Sequence, residues 1–94
     1  MKNLPSIELL ESTHTFPCRY MFKVFGLHGE ELISQVRDAA AAVSGGEKHV
    51  EWSYRTSGAG KHGCITLDVW LQTAHQVQAM YTELQGLTSV RMLM

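Results

Sequence analysis

Two rhythms of hydrophobic and polar residues run along this chain, and the switches between them mark its elements. Tyr20, Phe22 and Val24 alternate with Met21, Lys23 and Phe25, the two-residue period of a strand with one buried face. Gly26 and Gly29 bracket its end. Leu32, Val36, Ala39, Ala40 and Val43 then recur at helical spacing. Glu30 and Glu31 open that helix, where carboxylates suit the positive end of the dipole, and Ser44-Gly45-Gly46 stops it. A second strand sets Val50, Trp52 and Tyr54 against Glu51, Ser53 and Arg55, and Thr56-Ser57-Gly58-Ala59-Gly60 reads as its hairpin loop. A third sets Ile65, Leu67, Val69 and Leu71 against Cys64, Thr66, Asp68 and Trp70. Thr73, followed by Gln76, has the spacing of a helix capping box, and Val77, Met80, Tyr81 and Leu84 form one apolar stripe that ends at Gly86. Val90, Met92 and Met94 alternate through a last strand.

Residues 1–17 show neither rhythm. Leu4, Ile7, Leu9 and Leu10 are dispersed among polar residues. The expectation there is a loose arm, with one helical turn at Ser6 to Glu11, leading into a single domain over 18–94.

The order β-α-β-β-α-β is that of the ferredoxin-like split βαβ arrangement. The predicted fold class is α+β: a four-stranded antiparallel sheet with two helices on one face. Each helix has a single apolar stripe, so both must lie on the same side. Trp52 is then expected in the core, with a loss of ~3–5 kcal/mol on Trp52→Ala. The other face is left open and shows Met21, Lys23, Phe25, Glu51, Ser53, Arg55, Thr66, Asp68, Trp70 and Arg91.

Composition narrows the possibilities. At 94 residues, 45% hydrophobic and 18% charged, the chain suits one modest globular core. Eight Lys and Arg against nine Asp and Glu give a net charge of −1, so no strong field collects nucleic acid or an anionic membrane. Cys18 and Cys64 are too few for a disulfide scaffold. Pro5, Ser6 and Glu8 interrupt any apolar run near the N-terminus, and no window approaches the roughly 18 apolar residues of a membrane helix. These features predict a cytoplasmic protein with reduced thiols and no membrane contact.

Four chemistries are found on this fold, and the residues discriminate among them. RNA-recognition modules share this element order and stack bases on third-strand aromatics; here His62, Cys64 and Leu67 occupy those positions, which argues against nucleic acid. Small metal carriers place C-x-x-C before the first helix, whereas this chain has Gly26-Leu27-His28-Gly29. His62 and Cys64 would supply two ligands where zinc needs three or four, so no metal and no cofactor is expected. Gly58-Ala59-Gly60-Lys61 ends like a phosphate-binding loop but joins two strands, lacks the first glycine and has His62 in place of Ser or Thr. The hairpin N–H groups with Arg55 and Lys61 could still hold a small anion, although a solvated hairpin is the commoner outcome. Cys64 beside His62 raises thiol chemistry, but the apolar flank at Ile65 favours an inert thiol, and no paired carboxylates are present at useful spacing. No catalytic residues are assigned, and the chain is expected not to be an enzyme.

Three stretches in order resemble one family. Phe16-Pro17-Cys18-Arg19-Tyr20-Met21-Phe22-Lys23-Val24-Phe25-Gly26, then Arg55 to Leu67 with Ser57, Gly60 and Lys61 in its hairpin, then Gln76 to Leu84 with Val90-Arg91-Met92-Leu93-Met94, are similar to the opening, hairpin and closing segments of the YbeD-like proteins, across about Phe16 to Met94. His62 and Cys64 depart from the Tyr and Ser usual there. The resemblance implies a bacterial protein of unknown function with a ferredoxin-like fold, similar in turn to the ACT domains, regulatory modules that bind small molecules at dimer interfaces. Together these features point to a regulatory binding domain acting as a homodimer or on a protein partner, with a small-molecule ligand as a further possibility. The residues assigned to binding are Lys23, Phe25, Arg55, Ser57, Gly60, Lys61, Trp70 and Arg91. Trp70→Ala is expected to weaken binding while sparing stability. The alternative is RNA or small-anion binding through the hairpin and the open face.

Overall fold

The computed structural model describes residues 4–27 and 29–94. Its elements are α1 (Ile7–Thr13), β1 (Cys18–Leu27), α2 (Glu30–Ser44), a 3-10 turn (Glu47–His49), β2 (Val50–Ser57), β3 (His62–Leu71), α3 (Ala74–Gln85) and β4 (Val90–Leu93). The strands form one sheet in the order β2-β3-β1-β4. Every neighbouring pair is antiparallel, so β1 and β2 flank β3 as the split βαβ arrangement requires. The fold is the expected ferredoxin-like α+β sandwich.

Local chemistry sets the helix ends. Gly45 closes α2 in the left-handed region (φ 93°), and its N–H and that of Gly46 both donate to the Ala41 carbonyl, at 3.0 and 2.9 Å. A side chain would strain that conformation; glycine does not. At α3 the Thr73 hydroxyl accepts from the Gln76 N–H at 3.3 Å. The return half of the box reaches one residue further back than expected, because the Gln76 side-chain Oε1 accepts from the Gln72 N–H. The Gln76 amide also donates to the Val43 carbonyl at 3.3 Å, tying α3 to α2.

The core fills the single layer between sheet and helices. Phe22, Val24, Ile65, Leu67, Val69 and Leu71 from the strands meet Leu32, Val36 and Ala40 of α2 and Val77, Met80 and Leu84 of α3, all buried. Phe22 meets the Tyr81 ring edge-on, with centroids 5.1 Å apart, the favoured aromatic geometry.

Three local expectations give way. The segment before β1 carries a seven-residue helix, capped by the Ser6 hydroxyl accepting from the Leu9 N–H at 3.1 Å. Leu10 is 2% exposed within the main core, and the Gln78 side chain donates to the Pro5 carbonyl at 2.8 Å. Leu10, with Ile7 packed beside the core, is enough to dock α1 although Leu4 and Leu9 stay exposed, because Leu10 finds a seat the rest of the fold provides. Trp52 lies on the helix side of β2 as expected but is 40% exposed, not core. β2 is an edge strand, and what α2 offers there is Arg37, whose guanidinium lies 4.7 Å from the ring centroid. Finally, β4 does not alternate. Its register on β1 shifts between Phe25 and Gly26, so Val90 and Leu93 pack on the core while Arg91 and Met92 are both exposed.

That shift sits where the backbone comes closest. A Cβ on Gly26 would collide with the Ser89 carbonyl oxygen and come within 2.8 Å of Leu32 Cδ1. Ser89 is fixed from two sides. Its carbonyl accepts from the Leu27 N–H at 3.3 Å, and its hydroxyl donates to the Gln35 side chain at 2.6 Å.

Candidate functional site

The strand registers fix the layout of the uncovered face. Reading from β2 across β3 to β1, Arg55 lies beside Cys64 and Phe25, Ser53 beside Thr66 and Lys23, and Glu51 beside Asp68 and Met21. Trp70 lies beside Arg19 at one end, and His62 beside Leu27 at the hairpin end. On the far side of β1, Phe25 pairs with Met92, and Lys23 exchanges backbone hydrogen bonds with Met94 at 2.9 and 2.8 Å.

The residues assigned from the sequence do not form one cluster. Phe25, Arg91 and the hairpin share one end of the face. Trp70 is six residues along β3 from Cys64, about 20 Å away at strand rise. Lys23, Arg55, Lys61 and Arg91 are spread over three strands and the hairpin. Arg91 turns back to donate to the Thr88 carbonyl at 2.7 Å. Lys61 is exposed, and its N–H donates to the Gly58 carbonyl at 3.2 Å to close the turn. Gly58, Ala59 and Gly60 all have positive φ (60°, 58° and 84°). Ser57 ends β2; its side chain lies outside what is described.

Arg19 organises the acidic side of the face. It reaches Glu51 at 3.2 Å and Asp68 at 3.5 Å, bridging the two carboxylates of the face. Extending the strand alternation back from Met21 would have found it. Cys64 is 4% exposed although it is on the uncovered face; it sits mid-sheet between Phe25 and Arg55. His62 lies with its ring against Gly58, and among the described residues the imidazole and the Cys64 thiol share no hydrogen bond. Burial pushes the Cys18 thiol above its ordinary value, away from the reactive thiolate. Among the described residues, no three His, Cys, Asp or Glu side chains come together as a metal site, and no helix is long and apolar enough to cross a membrane.

The geometry does gather an apolar stripe along β1 and β4. Met21, Leu27, Met92 and Met94 are exposed, and Phe25 lies among them half-buried. Where β4 shifts register, a shallow depression of about 400 Å³ opens between Phe25, Leu27, His62, Arg91 and Met92. Met21, Leu27, Met92 and Met94 were not among the residues assigned to binding. The register shift that exposes Met92 beside Arg91 has no signature in the alternation.

Known proteins are similar to this chain along most of its length. A family model described as a protein of unknown function, DUF493, matches residues 11–94. A UPF0250 protein of Haemophilus ducreyi is 29% identical over 94 residues, covering 100% of this chain and 94% of the relative. A UPF0250 protein of Shewanella sediminis is 32% identical over 88 residues, covering 89% of each chain. One from Serratia proteamaculans is 30% identical over 87 residues, covering 93% of each. The match through α1 and the whole sandwich agrees with the resemblance seen in the three sequence stretches, and the chain belongs to the DUF493 (UPF0250) family of small bacterial proteins of unknown function.

Proposed function

We propose that this protein is a binding module without catalysis of its own, and that the β1–β4 side of its uncovered face docks on a protein partner. The observation that carries this is the row of Met21, Phe25, Leu27, Met92 and Met94, with Lys23 set among them, on a face that no described element covers. From Met21 to Leu27 the stripe extends about 20 Å at strand rise, well beyond a pocket for a metabolite. Methionines adapt to varied partner surfaces, and Lys23 and Arg91 beside them can fix orientation. Apolar anchors with a polar rim are the usual composition of a specific interface.

A photo-cross-linking amino acid at Met92, compared with one at Glu83 on the opposite, helical side, tests this in cells that make the protein naturally. The expected result is a discrete protein adduct from position 92 that is lost on Phe25→Asp, with none from position 83. Equal adducts from both positions would refute the assignment. A saturable thermal shift with a metabolite, abolished by Phe25→Asp, would instead make the depression a small-molecule site.

A further inference from the structure

The two edges of the sheet are guarded differently. β4 has four residues and an irregular register, both of which blunt an edge. β2 has eight residues and pairs with β3 without a break from Val50↔Val69 to Ser57↔His62. It contains no Pro, Gly or Lys; of the devices that keep another strand from adding to an edge, it carries only the charges of Glu51 and Arg55.

The sequence of that edge is complementary to itself. Read about Ser53, Glu51 stands opposite Arg55, Trp52 opposite Tyr54 and Val50 opposite Thr56. We propose that two copies of this protein pair through β2, antiparallel about a two-fold axis at Ser53, to form a continuous eight-stranded sheet with all helices on one side. Side chains alternate between faces, so the axis must pass through a residue and not between two. An axis at Glu51 would oppose two carboxylates, and one at Arg55 two guanidiniums. An axis at Trp52 or Tyr54 would leave both charges without an opposite partner. Only Ser53 brings each Glu51, which Arg19 of its own chain already holds at 3.2 Å, opposite an Arg55 of the other copy on the uncovered face, with two aromatic pairs on the helical face, the cross-strand combinations that stabilise sheets. The pairing is isologous, so it closes at two copies and does not propagate. It uses the edge and leaves the β1–β4 stripe free, so it stands apart from the docking proposed above.

Sedimentation of the full chain tests it through a charge swap. Glu51→Arg sets Arg against Arg, and Arg55→Glu sets Glu against Glu. Each variant alone is expected to associate on the order of tenfold more weakly than the wild type. An equimolar mixture of the two restores wild-type affinity as a heterodimer, because each chain then supplies the charge the other needs. Restoration on mixing also shows that both variants are folded. Ser53→Cys in a Cys18→Ser background is the independent check: residues on the axis come within disulfide distance, so mild oxidation should give a covalent dimer. A wild type that stays monomeric at millimolar concentration overturns the proposal. So do variants that associate as well as wild type, a mixture that restores nothing, or a Ser53→Cys variant that does not cross-link.

Discussion

Leu10 and Trp52 exchange the roles their surroundings in the sequence suggest, and the exchange can be measured. Leu10→Ala removes a side chain that is 2% exposed inside the main core. Alanine is at least as good a helix former as leucine, so α1 itself loses nothing in propensity. The cost is lost burial plus the cavity left behind, on the order of 2–4 kcal/mol for a leucine at such a site. In a chain of 94 residues this lowers Tm by roughly 10–25 °C. Trp52→Ala removes a larger side chain that is 40% exposed and stacked under Arg37. The cation–π contact contributes about 0.5–1 kcal/mol, and with the partial burial the total is ~1–2 kcal/mol, below the ~3–5 kcal/mol of a core tryptophan. Calorimetry at low micromolar protein, where self-association does not add to stability, should rank Leu10→Ala as the more damaging. A greater loss from Trp52→Ala, or a Tm change under about 3 °C for Leu10→Ala, would refute the packing described for α1 and the edge strand.

Other outcomes follow from single contacts. Gly26→Ala forces a methyl against the Ser89 carbonyl, which Leu27 and Gln35 hold in place; urea denaturation should show a loss of ~1–3 kcal/mol. Ala59→Gly relieves a left-handed residue (φ 58°) in the β2–β3 turn and should raise stability by about 1 kcal/mol in the same assay. Burial, aided by the hydrogen bond with the Tyr20 hydroxyl, pushes the Tyr81 hydroxyl up to about 12. The unfolded chain ionises this tyrosine near ~10, so its contribution is complete below that pH and is lost as pH rises toward 12. Alkaline denaturation should show this fall in wild type and not in Tyr81→Phe.

The elements that announced themselves in the sequence are those whose environment is uniform along their length. β3 lies between two strands and under two helices, so Ile65, Leu67, Val69 and Leu71 are all buried and alternation suffices to find it. α2 and α3 each press one stripe on the sheet. The failures share a cause: each depends on a neighbour far along the chain. Trp52 is exposed because β2 is an edge strand. Met92 faces solvent because β4 slips against β1 at Gly26, a site set by the Ser89 backbone and Leu32. Arg55, Lys61 and Trp70 were recognisable as face or hairpin residues, but how far apart they lie depends on strand register. The binding residues were therefore legible as a face and not as a cluster.

The docking of α1 also bears on how the chain folds. Its contacts are with α3, and the Pro5–Gln78 hydrogen bond spans 73 residues of sequence. A contact of that separation carries a large loop-closure cost until the intervening sandwich has formed. This segment is thus among the last to find its place, and Leu10 remains available to solvent until α3 has packed against it. The folding rate should be insensitive to Leu10→Ala while the unfolding rate rises, the kinetic signature of a segment that joins after the rate-limiting step.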